Sequence, residues 1–104
     1  MISDKQFEDS FTAAGGWFIL TQFETVFHWS GSTPELIDLI FEQGFDKNRK
    51  RTSDRIANLR RIIRSDRGQE ALLKIRDSSN INRVHPDAAD RARDLLKKYY
   101  LSEE

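Results

Sequence analysis

Gly15-Gly16-Trp17-Phe18-Ile19-Leu20-Thr21-Gln22-Phe23-Glu24-Thr25-Val26-Phe27-His28-Trp29 holds both tryptophans of the 104-residue chain and three of its seven phenylalanines, and Phe11 lies just upstream. Any core must form around this stretch. On a helical wheel, Ile19, Leu20, Phe23, Val26 and Phe27 fall within an arc of about 120°, one core-facing stripe. Phe18 and Trp29 lie together on a second side near Gln22 and Thr25. Trp17, Thr21, Glu24 and His28 share a third, where Glu24 and His28 are an i, i+4 pair. A strand reading also exists, because the odd positions are good strand formers. It is disfavoured because Trp17–Trp29 runs on without an internal turn signal, well past the roughly five or six residues of an ordinary strand. Nothing else in the chain looks like a pairing partner for it.

Working outward, Ser3 or Asp4 is placed to cap a first helix bearing Phe7 and Phe11, ended by Gly15-Gly16. Ser30-Gly31-Ser32 is a turn. Thr33 is the expected cap of a third helix, with Pro34 at its first position, Glu35 in its first turn, and Leu36, Ile37, Leu39, Ile40 and Phe41 as a wide apolar arc. Gly44 stops it. Phe45 to Arg51 reads as a basic loop, with Thr52 or Ser53 capping a helix whose stripe is Ile56, Leu59, Ile62 and Ile63. Gly68 breaks or bends its continuation, in which Ala71, Leu72 and Ile75 face inward. Asp77 to Asn82 is a loop by composition. Pro86 opens a last helix with Ala88, Ala92, Leu95, Leu96 and Tyr99 at helical spacing. The expected fold is therefore all-α, a compact bundle or orthogonal array of five to six short helices, with residues 1–104 as one domain and a fraying tail from about residue 102. Leu20, Phe23, Phe27, Ile40, Leu59 and Ile63 are its expected core.

The chain has no cysteine, which excludes disulfides and thiolate metal sites and suits a reducing, cytoplasmic location. No signal-peptide pattern opens it, and no apolar run approaches the ~20 residues that span a bilayer. Its net charge of zero hides an asymmetry. Residues 1–46 carry Lys5 against eight acids, a net of −7, whereas residues 47–67 carry nine cations against Asp54 and Asp66, a net of +7. Such segments bind an external anion, pair with each other inside the fold, or drive self-association.

Arg60, Arg61 and Arg64 share one helical face with Ser53 and Ala57, clear of the apolar stripe, and Lys47, Arg49, Lys50 and Arg51 precede them. A basic loop and a face of arginines are suited to phosphate backbones. The arrangement loosely resembles a helix-turn-helix, but the interval from Gly44 to Thr52 exceeds that motif's turn of about 3–4 residues. Arg49, Lys50, Arg51, Arg60, Arg61 and Arg64 are the candidate nucleic-acid contacts. His85-Pro86-Asp87 is similar to the tripeptide of J-domain co-chaperones. Here a polar loop precedes it in place of an adjoining basic helix, and a helix start accounts for the same residues.

His28 and His85 are the only histidines, with no zinc-binding spacing between or around them. Glu24 with His28 reads as a structural pair, and Gly15-Gly16 lacks a phosphate-loop context. The sequence thus points away from an enzyme, a cofactor or a metal. It points to a module that contacts another protein or a second copy of itself through Phe18 and Trp29, or alternatively binds DNA or RNA through residues 47–67.

Overall fold

A computed structural model describes residues 2–100 of the chain, and among these residues every regular element is an α-helix. The helices are α1 (Asp4–Ala14), α2 (Gly16–His28), α3 (Thr33–Phe41), α4 (Arg49–Arg64), α5 (Gly68–Arg76), α6 (Ser79–Val84) and α7 (Ala88–Tyr99). The all-helical class agrees with the sequence reading; the number of helices, seven rather than five to six, does not. The expected tail beyond residue 102 lies outside the described residues.

The first turn of α1 forms because Ser3 and Gln6 satisfy each other reciprocally. The Gln6 amide donates to Ser3 Oγ at 3.1 Å, and the Ser3 amide donates to Gln6 Oε1 at 2.9 Å. Gly15 serves two helices at once: its amide donates to Phe11 O at the end of α1, and its carbonyl accepts from Ile19 in the first turn of α2. It does so at φ 88°, and a Cβ at this position would stand 2.9 Å from Arg55 Nη1, so both backbone and space require glycine. The cap of α3 is Ser32, one residue before the expected Thr33, in a second reciprocal box with Glu35.

Helix α4 begins at Arg49, three residues before the expected cap at Thr52, so Arg49, Lys50 and Arg51 form its first turn instead of a loop. Three cations there oppose the helix dipole. A cap and two acids offset them: Asn48 Oδ1 accepts from the Arg51 amide at 2.9 Å, Asp38 accepts from Arg49 Nε at 2.8 Å, and Lys50 pairs with Asp54 at 3.3 Å. The Asp46 carboxylate, whose side chain is 3% exposed, accepts from Thr52 Oγ1 at 3.1 Å and Arg55 Nε at 3.0 Å and lies 3.8 Å from Arg51 Nε. The helix ends at Arg64, and Asp66 just beyond it takes the left-handed region at φ 60°, before Gly68, which instead opens α5. Around this end Asp66 and Arg67 donate back to Ile63 and Ile62.

Helix α6 occupies the Ser- and Asn-rich stretch that composition assigns to a loop. Asn82 holds it: its Nδ2 donates to Ile75 O, Arg76 O and Ser78 O, and its Oδ1 accepts from the Ala89 amide at 2.8 Å. One side chain thereby satisfies the orphan carbonyls at the end of α5 and an orphan amide at the start of α7. Pro86 consequently precedes α7 by two residues and sits in the turn beside His85, whose ring stacks on Trp17 with centroids 3.6 Å apart.

Helices α2 and α4 lie at the centre. Helix α4 packs against α1, α2, α3 and α5, and α2 packs against α1, α4, α5 and α7. Leu20, Phe23, Ile40 and Leu59 are buried as expected. Phe27, at 41% exposed, and the half-buried Ile63 are not. By angle Phe27 belongs to the buried arc, between Phe23 and Leu20. In the last turn of α2 it packs on the Phe23 and Tyr99 rings, 5.7 and 4.9 Å away, and its remaining surface lines a groove open to water. Ile63 is likewise at the end of α4.

Arg55 connects these parts, since its Nη1 also donates to Ala14 O at 2.7 Å and its guanidinium lies over the Phe18 ring. Arg55→Met is expected to lower stability by about 3 kcal/mol, the low end for removing one partner of a buried pair because Arg55 retains some contact with water. Urea denaturation of both chains checks this value.

Candidate interaction surface

The expected interface residues separate. Phe18 is 2% exposed, with its edge against Phe45 and centroids 5.1 Å apart, so the structure places it in the core and not on a contact surface. A wheel brings Phe18 and Trp29 to one angle, but eleven residues of helix put them about 16 Å apart along the axis. Phe18 enters under Arg55 at the start of α2. Trp29 is the residue after the helix, with extended backbone, half-buried, its indole N–H donating to Ser32 O at 2.9 Å. Gln22, which the wheel sets beside them, is buried and exchanges two side-chain hydrogen bonds with Gln43, at 2.8 and 3.2 Å.

The six candidate nucleic-acid contacts also divide. Arg49, Lys50 and Arg51 each face a carboxylate of the chain itself, Asp38, Asp54 and Asp46 respectively. Arg60 Nη1 donates to Thr33 Oγ1 at 2.8 Å. Arg61 and Arg64 are exposed, and no carboxylate pairs with either among the described residues. They occupy the last turn of α4, where the helix dipole favours positive charge and water solvates it.

Arg60, Arg61 and Arg64 line an open groove of about 420 Å³ together with Thr33, Ser53 and Ala57. A second groove, of about 160 Å³, is formed by Val26, Phe27, Trp29 and Ile63 and shares Arg60 and Arg64 with the first. Trp29 and the arginine face, which the sequence suggested as two separate surfaces, are therefore neighbours on one. Phe27 and Ile63 belong to it as well, although their spacing had assigned them to the core. Both lie in the final turn of their helices, where Val26 and Ile62 remain buried, so spacing alone did not separate the exposed residues from the core ones.

Glu24 and His28 do not meet directly. The Tyr99 hydroxyl stands between them, donating to Glu24 Oε2 at 2.7 Å and lying 2.8 Å from His28 Nε2. Since the single hydroxyl proton goes to Glu24, His28 Nε2 is the protonated ring nitrogen and donates to tyrosine. The Lys98 ammonium also donates to Glu24, at 2.6 Å. The cluster fastens α7 to α2. Lys98 first, then Tyr99, hold the Glu24 carboxyl below its usual value, while burial and the hydrogen bond to Glu24 raise Tyr99. Among the described residues no group of three or more His, Asp or Glu side chains is arranged to hold a metal ion, and no helix is long and apolar enough to cross a membrane.

No family model matches the chain, and comparison with curated proteins and with solved structures likewise found no match.

Because the Glu24 carboxyl is depressed, its stabilising contribution is complete above the ordinary value of 4.5 and is lost as pH falls through the folded value. Lys98→Ala is expected to move the Glu24 titration midpoint upward, toward 4.5. Carboxyl-carbon NMR titration of both chains checks the shift.

Proposed function

We propose that the protein is a non-enzymatic module that binds another protein through the surface made by Trp29, Phe27 and Ile63 with Arg60, Arg61 and Arg64. The observation that carries this reading is that Arg60 and Arg64 line both the groove beside Phe27, Trp29 and Ile63 and the groove beside Arg61. Half-exposed aromatic side chains beside arginine are the composition of interface hot spots. A groove of a few hundred Å³ with convergent polar groups is also the usual form of a binding site.

The second reading is a DNA- or RNA-binding domain. Arg60, Arg61 and Arg64 favour it. The pairing of Arg49, Lys50 and Arg51 with Asp38, Asp54 and Asp46 weighs against it, since those cations have carboxylate partners already. A specific duplex grip with about 6–10 phosphate contacts needs more free cations than this face presents. The formal net charge of zero also lacks the basic footprint of such domains.

The test is capture on the immobilised chain after nuclease treatment, with Trp29→Ala and the double change Arg61→Glu, Arg64→Glu as controls whose folding is verified by circular dichroism. The expected outcome is a retained protein that both variants lose. Retention abolished by nuclease moves the assignment to nucleic acid. In that case, changing Arg60, Arg61 and Arg64 to Ala should reduce the slope of log affinity against log salt by about one unit per lost phosphate contact.

A further inference from the structure

The two grooves differ in size and chemistry, and the difference describes an occupant. The smaller is an open groove walled by Val26, Phe27, Trp29 and Ile63, with Arg60 and Arg64 at its side, and measures about 160 Å³. An apolar cavity of about 150 Å³ accepts benzene. The smaller groove therefore suits one side chain of the size of phenylalanine or leucine. The larger, of about 420 Å³, is lined by the hydroxyls of Thr33 and Ser53 and by Arg60, Arg61 and Arg64. Two of these guanidiniums, Arg61 and Arg64, have no carboxylate partner among the described residues. Arg64 borders both grooves, so an anionic group held by it lies within side-chain reach of an apolar group beside Trp29.

We infer that the occupant is an acidic segment of another protein, presenting one large apolar side chain to the Trp29 groove and flanking carboxylates to Arg60, Arg61 and Arg64. This rests on the protein-binding reading above and names the partner's chemistry. Charge complementarity carries it. Guanidinium matches carboxylate with paired, charge-assisted hydrogen bonds, and apolar burial beside the pair excludes water from it.

The test uses the full-length chain labelled with ¹⁵N and follows the Trp29 indole N–H and the arginine Nε–H signals. The probes are a short capped peptide with phenylalanine between two pairs of glutamates, its Phe→Gly version, its Glu→Lys version and a short DNA duplex. The glutamate–phenylalanine peptide is expected to shift Trp29, Arg61 and Arg64 together. Binding should weaken about tenfold or more in the glycine peptide and in the Arg61→Ala, Arg64→Ala chain, the loss typical of one interface anchor. Equal binding of the lysine peptide, or no shift with the glutamate peptide at millimolar concentration, overturns the inference and leaves the protein-binding reading to the capture experiment. Concentration-dependent dimerisation that shifts the same signals without peptide also overturns it, in favour of a second copy. Tighter binding of the duplex, shifting the arginines and not Trp29, overturns both.

Discussion

The carboxylate of Asp46 is taken almost wholly out of water, and the centre of the molecule depends on how it is satisfied. Thr52 and Arg55 reach it from the first turns of α4, and Arg55 extends past it to the last carbonyl of α1. An unpaired buried charge costs several kcal/mol, so these contacts are obligatory once the turn before α4 is buried. They also determine where α4 lies relative to α1 and to Phe18, and hence how α2 is covered. Gly15 is part of the same arrangement, because a side chain there would occupy the position of the guanidinium.

The direction of α4 follows. Its N-terminal turns face Asp38 and Asp46 of the preceding segment, so the charge asymmetry of the sequence is met by pairing for Arg49, Arg51 and Arg55, while Lys50 pairs with Asp54 of α4 itself. At the other end Arg61 and Arg64 need no carboxylate, since the helix C-terminus and water stabilise them. One helix thus separates its cations into a structural set and an available set. The available set emerges beside the end of α2, where the core cover runs out and Phe27 and Trp29 reach the surface. Both components of the proposed surface are consequences of helix ends.

The remaining helices are fastened to this centre by side-chain hydrogen bonds at element ends. Asn82 joins α5, α6 and α7, and the Glu24, Tyr99 and Lys98 cluster ties α7 to α2. The Trp17–His85 stack supports the turn between α6 and α7 from the α2 side. His85-Pro86-Asp87 is thus a connection, with Asp87 as the residue before α7.

Periodicity and caps within the sequence were enough for the all-helical class, for a first cap at Ser3 or Asp4, for the break at Gly15-Gly16 and for the burial of Leu20, Phe23, Ile40 and Leu59. These depend on interactions three or four residues apart, and spacing reports them directly. The start of α4 at Arg49 combines a local cap, Asn48, with a tertiary contact from Asp38, eleven residues away. Helix α6 has a local cap in Ser78, and its Ser- and Asn-rich sequence is held to two other helices by Asn82. The tertiary structure alone buried Phe18 while leaving Phe27 exposed. A helical wheel records angle but not where along the axis the neighbouring helices stop. For the same reason the meeting of Trp29 with Arg60 and Arg64 was not legible: it joins the far ends of two helices, and only their packing brings those ends together.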